Sequence, residues 1–418
     1  TQSRFAAIML ATGKLWDPHT PAYMSVGNHP PAIAMVHSSE YRNTLRFRGM
    51  TVVVVGVGNS ALDIALELSL DRHVKQVFIS ARRGTTVIPT QDAYGRPEDL
   101  KLASRFFNYD LPQAFRIMYF VRLCRSLNTT LRKAGLPEPP GGLFSPRSPT
   151  ANLKQPTQFL TQLKKGRIKF VAGFNGEFAR ELGDDGDVDV EGVHVCDHDH
   201  VHQHQHQHDQ EHQHGHGITK HARGDDAIVL TDGVRIRPDA MIFATGYTLK
   251  LNKLLSRQLC AEVEGTYNVT HTNDSDGSVS VRTVPWLKLH HGIMLPSDST
   301  FHFLGFITSF GNETCIGEMQ SRWATAVLAG MIRCPTQIQT KLAVAKNEAY
   351  YTKHGLSTSG FVSYVRYMDK LANELGCMPT NLFDITDPSS WRLWYNVYFG
   401  PVVPAHFRIA GQNTWPHA

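Results

Sequence analysis

The amino-acid sequence predicts an α/β protein of two parallel-sheet domains, one inserted into the other, and three observations carry that prediction. A strand-like run at Met50–Val55 is followed at once by a glycine-rich turn and a helical pattern. Two other apolar runs each end in the same Ala-Thr-Gly triplet, at 11–13 and at 244–246. At 418 residues the chain is also long enough for two domains.

The first observation amounts to a complete strand–helix–strand unit. The β-branched run at Met50–Val55 is typical of a strand buried on both faces of a parallel sheet. Apolar residues at helical spacing follow over Ala61–Leu70, and Gln76–Ile79 is the next strand-like run. The length and order of these elements match a βαβ unit.

A dinucleotide fingerprint, Gly56-x-Gly58-x-x-Ala61, lies between this first strand and its helix. Gly56 permits the tight turn, Gly58 lets a pyrophosphate approach the backbone, and Ala61 keeps helix and strand close. The helix N-terminus attracts the phosphates. The predicted cofactor-binding residues of this turn are Gly56, Gly58, Asn59, Ser60, Ala61, Leu62 and Asp63.

The end of the second strand indicates which nucleotide binds. NAD and FAD sites usually carry an acidic residue there for the ribose hydroxyls. This chain instead has Arg82 and Arg83, and guanidinium groups suit a 2′-phosphate. An ordinary solvated arginine pair is the alternative. The sequence therefore predicts NADP as one cofactor, with both arginines in its site.

The two Ala-Thr-Gly triplets predict the crossings between the domains, because small residues let a chain leave a sheet sharply and approach a ligand closely. Their residues are added to the predicted cofactor sites: Ala11, Thr12, Gly13, Ala244, Thr245 and Gly246. The predicted division is an outer domain over 1–47 and 241–418, with an inserted nucleotide-binding domain over 48–240.

Two stretches of the inserted domain depart from the strand–helix pattern. Residues 97–165 have apolar residues at helical intervals and predict a helical excursion, interrupted by Pro112. Residues 194–217 contain ten histidines and predict a disordered surface loop. Transition-metal binding by these imidazoles is the alternative, and no metal site is assigned.

Composition excludes several classes of protein. The formal net charge is +5, without a Lys/Arg block, which argues against nucleic acid as a partner. The six cysteines form no C-x-x-C pair, which excludes a dithiol reductase and favours a reducing compartment. No run reaches the ~20 apolar residues of a transmembrane helix. We expect a cytoplasmic protein, with peripheral membrane contact left open.

Several motifs together resemble the flavin-containing monooxygenases, dimethylaniline monooxygenase type, over nearly the whole chain. The fingerprint from Gly56 to Asp63 is similar to that family's second nucleotide motif, and residues 80–84 to its NADPH phosphate clamp. Residues 243–247 resemble the return strand, and Glu318–Trp323 the helix that closes the flavin site. The ending at 407–415 resembles the family's C-terminal segment.

The family's identifying pattern, F-x-G-x-x-x-H-x-x-x-Y, is half kept. His37 and Tyr41 hold their places, whereas Pro31 and Ile33 stand where the family has Phe and Gly. Baeyer–Villiger relatives carry Trp-Pro where this chain has Tyr41 and Arg42, which favours heteroatom oxygenation.

The resemblance implies two dinucleotide-binding, Rossmann-like domains, with the NADP domain inserted into the FAD domain. It also implies that hydride passes from NADPH to FAD, and that a C4a-hydroperoxyflavin oxygenates a small amine or sulfide with O₂. We expect a helix over Gly317–Gly330 whose N-terminus faces the flavin, with Glu318, Met319 and Gln320 at the cofactor site.

Only ten residues precede Ala11, so we expect the N-terminal FAD-binding unit of this family to be missing from the sequence. The catalytic asparagine of the family belongs to that unit, and no catalytic residue is assigned here. Two alternatives therefore stay open. One is a Baeyer–Villiger monooxygenase, and the other is a non-catalytic NADP-binding remnant.

Overall fold

The structure is a computed structural model, and it describes residues 4–24, 33–92, 94–139, 142–143, 148–180, 226–272, 279–309, 311–354, 361–380 and 382–408. The histidine-rich tract at 194–217, Pro31 and positions 409–415 of the C-terminal motif lie outside them.

The strands are β1 (Ile8–Leu10), β2 (Asp17–Pro18), β3 (Ala34–His37), β4 (Thr51–Val55), β5 (Gln76–Ser80), β6 (Thr86–Pro89), β7 (Thr150–Leu153), β8 (Ile168–Val171), β9 (Phe174–Arg180), β10 (Asp226–Leu230), β11 (Arg235–Ile236), β12 (Ala240–Phe243), β13 (Tyr247–Thr248), β14 (Glu264–Thr272), β15 (Val279–Leu287), β16 (Phe301–Phe303), β17 (Thr308–Ser309) and β18 (Phe361–Val362). The helices are α1 (Asn59–Leu70), α2 (Asp99–Leu102), α3 (Gln113–Lys133), α4 (Pro156–Lys164), α5 (Arg257–Val263), α6 (Glu313–Leu328), α7 (Gln337–His354), α8 (Tyr364–Glu374) and α9 (Pro388–Phe399), with a π-helical turn at Phe106–Asp110.

The fingerprint strand β4 lies at the centre of a five-stranded parallel sheet with the order β3-β12-β4-β5-β8. Val52 and Val54 pack on one face, in the same cluster as Leu62 of α1. Val53 and Val55 pack on the other face with Phe174 of β9. This burial on both faces explains the continuous β-branched run. The predicted α/β class and βαβ unit are confirmed.

The far face of this sheet is covered by a second, antiparallel sheet with the order β11-β10-β9. Helices α1, α3 and α4 contribute Leu62, Leu131 and Phe159 to the cluster on the near face. The unit is therefore three layers thick, and both faces of the parallel sheet are shielded from water.

The strands next to the predicted boundaries at 47 and 241 belong to this same sheet. β12 pairs with β3 on one side and with β4 on the other, so residues 34–37 and 240–243 lie with the fingerprint. We therefore use the term inserted unit for residues 33–243, and outer unit for residues 4–15 and 249–408. The segments between them, at 16–24 and 244–248, are the crossings. The functional division of the chain stays a prediction.

The excursion at 97–165 is mostly helical, and α3 begins directly after Pro112. It also contains a strand that the sequence did not predict, β7, which pairs in parallel with β6. Only Ala151 and Leu153 of β7 are buried. Two apolar residues are too few to give a periodic signal, which is why β7 was missed.

The outer unit pairs β1 with β16 in parallel, with Ile8 opposite Phe301. Its main core lies between α6 and α8, where Met319 and Trp323 share a cluster with Met368. None of the helices in the described ranges is long and apolar enough to cross a membrane.

The helix predicted over Gly317–Gly330 is α6, but its predicted start was wrong by four residues. Asn312 caps it, since its side-chain oxygen accepts a hydrogen bond from the Thr314 amide at 2.9 Å. Gly330 lies just past its end with φ +68°, as expected for a C-terminal glycine. Gly317 is an interior helical residue, and reading it as the start shifted the prediction.

Candidate cofactor sites

The fingerprint turn packs directly against the second Ala-Thr-Gly triplet. Gly56 has φ +118°, and a Cβ added there would lie 2.5 Å from the carbonyl oxygen of Ala244. A side chain at this position would be excluded both by its backbone conformation and by the contact. The structure thus brings together two motifs that lie far apart in the sequence.

Gly58 differs from Gly56 because its surroundings are open. It forms the N-cap of α1 with φ −80°, and a Cβ built on it meets nothing within 4 Å. Gly58, Asn59 and Ser60 are all exposed at the start of α1, where the free amides of a helix N-terminus can bind a pyrophosphate.

The remaining fingerprint residues divide by burial. Ala61 and Leu62 are fully buried and hold α1 on the sheet. Asn59 accepts a hydrogen bond from the Asn152 amide at 2.8 Å. Asp63 forms an ion pair with Lys154 at 2.6 Å. Asn59 and Asp63 are thus tied to the segment around β7, while Ser60 is exposed at the start of the helix.

Arg82 and Arg83 lie directly after β5, and both are exposed. Within the described part of the chain neither guanidinium has a hydrogen-bond or ion-pair partner. A Cβ on Gly173 would lie 2.1 Å from Cγ of Arg82, so the stem of Arg82 needs a glycine beside it. The strand end itself is fixed, since Ser80 accepts from the Phe174 amide at 2.8 Å. Two unpaired cations on a rigid strand end suit an anionic ligand.

The first triplet, Ala11–Gly13, forms the exit of β1 and lies beside the exit of β16. The Leu304 amide donates to the Leu10 carbonyl at 2.9 Å. Gly13 has φ +67° and Gly305 has φ +79°, and a Cβ on Gly305 would lie 4.0 Å from Cα of Gly13. Ala11 and Thr12 are exposed. The backbone turns at Gly13 and Gly305 therefore meet at one edge, and a Cβ added to Gly13 would have no neighbour within 4 Å.

Lys14 connects this edge to α6, and sequence reasoning missed it. Its Nζ donates to the Ile307 carbonyl at 2.7 Å and to Oγ1 of Thr308 at 2.6 Å, and it reaches Glu313 at 3.1 Å. Burial lowers the pKa of Lys14 below its ordinary value, although Glu313 opposes that shift. The only signal in the sequence was a lysine directly after the triplet.

The three residues predicted on α6 do not share one role. Met319 and Gln320 are fully buried. Gln320 accepts from the Gly305 amide at 2.8 Å and donates to the Tyr367 hydroxyl at 2.9 Å, so it holds the turn from beneath. Glu318 pairs with Arg408 and Arg322. Glu313 and Asn312, rather than these three residues, lie at the N-terminus of the helix.

The crossings are hydrogen-bonded to each other. The His19 amide donates to the Gly246 carbonyl at 2.9 Å, and the Thr245 hydroxyl donates to the His19 carbonyl at 2.6 Å. Asp17 accepts from Thr248 at 2.7 Å and pairs with Lys253. The second triplet is therefore part of a two-stranded hinge between the units, formed by β2 and β13.

His37 of the half-kept pattern supports this hinge, whereas Tyr41 packs within the inserted unit. His37 is buried, and its Nε2 lies 3.1 Å from the Gly246 carbonyl, to which it donates. Burial lowers the pKa of His37 below its ordinary value. Tyr41 stacks on Phe47 at 5.7 Å between ring centres. The histidine thus fixes the crossing beside the second triplet.

Comparisons with known proteins bear on the family of this chain. The model of a family described as flavin-binding monooxygenase-like matches residues 1–160 and 221–418. Flavin-containing monooxygenase 5 of Oryctolagus cuniculus is 25% identical over 422 residues, covering 99% of this chain and 64% of its own length. Flavin-containing monooxygenase 1 of Canis lupus familiaris is 27% identical over 425 residues, covering 99% and 65%.

Among solved structures, S-allyl-L-cysteine S-oxygenase from Allium sativum aligns with a TM-score of 0.41 and 15% identity, over 94% of this chain and 57% of that one. The chain spans a little under two thirds of the length of the curated relatives it matches. Because the family model matches most of the sequence, including both triplets and the fingerprint, the chain belongs to the flavin-binding monooxygenase-like family.

Proposed function

We propose that this protein is an NADPH- and O₂-dependent flavin monooxygenase that oxygenates soft nitrogen or sulfur centres of small molecules. In the balanced reaction, substrate, O₂, NADPH and H⁺ give the N- or S-oxide, water and NADP⁺. The observation that carries the proposal is the position of Arg82 and Arg83. They are exposed and unpartnered among the described residues, and they follow the strand next to the fingerprint in a flavin-binding family member.

The residues of the inserted unit fit NADP. The open space at Gly58 and the N-terminus of α1 suit the pyrophosphate. Arg82 and Arg83 suit the 2′-phosphate, which two guanidiniums bind with charge-assisted hydrogen bonds. No described acidic side chain follows β5 directly, as a site for an unphosphorylated ribose would require.

The residues of the outer unit fit one side of an FAD site. Glycines at 13 and 305 let two backbone turns meet, and nothing lies within 4 Å of a Cβ on Gly13. The N-terminus of α6 is capped by Asn312 next to this edge, where Lys14 forms an ion pair with Glu313. Bound FAD would accept hydride and activate oxygen, which side chains alone do not do.

The chain itself contributes binding, orientation and exclusion of water. The hinge at Gly246 joins the fingerprint turn of the inserted unit to the outer unit. Lys14 and Gln320 hold the exits of β1 and β16 in place. We assign no side chain of the described residues as a general acid or base.

The test is turnover with NADPH, O₂ and a thioether or tertiary amine, using mass spectrometry to detect the oxide and absorbance to detect flavin. In the full-length protein, oxide formation that requires both NADPH and O₂ is the expected result. Ester formation from a cyclic ketone in preference to sulfoxidation would instead identify a Baeyer–Villiger enzyme. NADP⁺ binding without flavin absorbance or turnover would identify a non-catalytic protein.

A further inference from the structure

A buried ion pair joins the helical excursion to the outer unit at a point far from the hinge. Arg105 lies between α2 and the π-helical turn, and its side chain is 6% exposed, while that of Asp369 on α8 is 2% exposed. The guanidinium donates to both carboxylate oxygens, at 2.7 Å from Nη2 and 3.1 Å from Nε. Its Nη1 also donates to the Val397 carbonyl at 2.8 Å. Three nitrogens of the Arg105 guanidinium thus donate to residues of the outer unit.

Further contacts surround the pair and reinforce the same junction. The Val402 amide donates to the Ala103 carbonyl at 2.8 Å, and the Tyr364 hydroxyl donates to the Val402 carbonyl at 2.8 Å. The guanidinium carbon of Arg105 lies 5.4 Å from the ring centre of Phe407. The start of the excursion is therefore built into the core of the outer unit, where Ala103 packs in the same cluster as Trp323.

The other end of the excursion is built into the inserted unit. Leu127 and Leu131 of α3 belong to the core beneath the parallel sheet. The side-chain amide of Asn128 accepts from the Val87 amide at 2.8 Å and donates to the Val87 carbonyl at 2.7 Å. It therefore pairs with β6 in the way that a neighbouring strand would. α3 has 21 residues. At about 1.5 Å per residue it is a stiff connection on the order of 30 Å long.

Among the described residues the two units are thus connected at two places, by the crossings at Asp17 and Gly246 and by the excursion. A single two-stranded hinge leaves a domain free to rotate about it. A second attachment, through a rigid helix, removes that freedom. A buried bidentate pair is suited to this task because it fixes direction as well as distance.

We propose that Arg105 and Asp369 are positioning residues that set the orientation of the inserted unit relative to the outer unit, with α3 as the strut between them. The contacts themselves do not depend on the proposed function, which gives only the purpose of that orientation, namely bringing a bound nicotinamide to the outer unit. The orientation of the two units can therefore be tested by a distance measurement, which requires neither flavin nor turnover.

The experiment measures the distance distribution between two spin labels by double electron–electron resonance in the full chain. One label is on Cys334, which is exposed in the outer unit, and the other on Lys165→Cys at the exposed end of α4. Cys196→Ser and Cys315→Ser remove the other candidate labelling sites. Arg105→Lys keeps the charge but loses the fork, and should at least double the width of the distribution.

Arg105→Met with Asp369→Leu is the second variant, because an apolar pair leaves no buried charge unpaired and preserves folding. Its distribution should broaden as well. Arg132→Lys, at the more exposed ion pair between Arg132 of α3 and Glu138, is the matched control and should retain the parent width. In all variants NADP⁺ affinity should change less than twofold, because the fingerprint lies elsewhere. A folded double variant with the parent width would overturn the proposal, since the pair would then be purely structural.

Discussion

The two candidate cofactor edges both contain glycines with positive φ, but the side chains around them have different roles. At the inserted unit, Gly58 faces open space and the flanking Arg82 and Arg83 have no described partner. At the outer unit, Gln320 accepts a hydrogen bond from the Gly305 amide, and Lys14 donates to the Ile307 carbonyl, so both side chains bind backbone groups near the exit of β16. The first edge is thus arranged to meet a ligand with its side chains, and the second to hold its own backbone in place.

The largest expected effect separates two neighbouring glycines of the inserted unit. Gly56→Ala places a methyl group 2.5 Å from the Ala244 carbonyl at φ +118°. We expect a loss of about 2–5 kcal/mol in the free energy of unfolding, measured by urea denaturation. Gly58→Ala has room and an ordinary φ, so it should change stability by less than about 1 kcal/mol while weakening NADPH binding.

Equal destabilisation by these two substitutions would show that the space at Gly58 is not available to a ligand. Gly58 would then be a packing residue like Gly56, and the fingerprint turn of the inserted unit would not have open space for a ligand.

The next effect is on cofactor choice. Arg82→Ala with Arg83→Ala should weaken NADPH binding about tenfold or more for each arginine, because each lost charge-assisted hydrogen bond costs about 1.5–3 kcal/mol. NADH binding should stay nearly unchanged, and calorimetry with both nucleotides measures the difference. The same loss for NADH and NADPH would reassign the arginines to the pyrophosphate.

Lys14→Met tests the outer edge. Removing the ammonium leaves the Ile307 carbonyl and the Thr308 hydroxyl without their donor, and we expect a loss of about 1–3 kcal/mol in unfolding free energy. Lys154→Met removes an exposed ion pair of the inserted unit and should cost less than about 1 kcal/mol. NADPH affinity of the Lys14 variant should match the parent. If it falls, the two edges are coupled more tightly than the hinge implies.

Structural features that depend on residues close together in the sequence could be predicted from it, and those that depend on distant residues could not. The fingerprint, α1 and β5 depend on neighbours within about thirty residues, and their pattern predicted them correctly. Gln320 contacts Gly305 and Tyr367, and Lys14 contacts residues almost 300 positions away. No local pattern encodes such pairs. The assignment of Gln320 to the cofactor site stays a prediction, but its hydrogen bonds to Gly305 and Tyr367 could not be predicted from the sequence.

The half-kept pattern shows the same limit. His37 was identified by its spacing to Tyr41. Its hydrogen bond to the Gly246 carbonyl, 209 residues away, could be recognised only in the folded structure. The register of β7 on β6 and the buried pair of Arg105 with Asp369 gave no signal in the sequence either, since an arginine and an aspartate 264 positions apart carry no mutual pattern.

The outer unit should also respond to acid. Burial, with a smaller contribution from His291, lowers the pKa of His290 to about 3 from an ordinary value of 6.5. Above pH 6.5 both states are neutral, but below it only the unfolded chain takes up the proton, so stability falls as pH falls from about 6.5 toward 3. His290→Phe should flatten this limb of the stability profile, measured by thermal unfolding. His73→Phe, at an exposed position, should leave it unchanged, and equal curves for all three proteins would contradict the assignment.

The smallest expected effect comes from deleting residues 197–215 within the histidine-rich tract. The family model matches the chain on both sides of residues 161–220 and not within them. The strands that flank the tract, β9 and β10, pair with each other, with Arg180 opposite Asp226. The two ends of the connection therefore start from adjacent positions, and a shorter loop closes the same distance at little entropic cost. Thermal stability and NADPH affinity should match the parent within error. Two results together would assign a structural metal to the tract: a marked loss of stability in the deletion variant, and stabilisation of the parent, but not of the deletion variant, by added zinc or nickel.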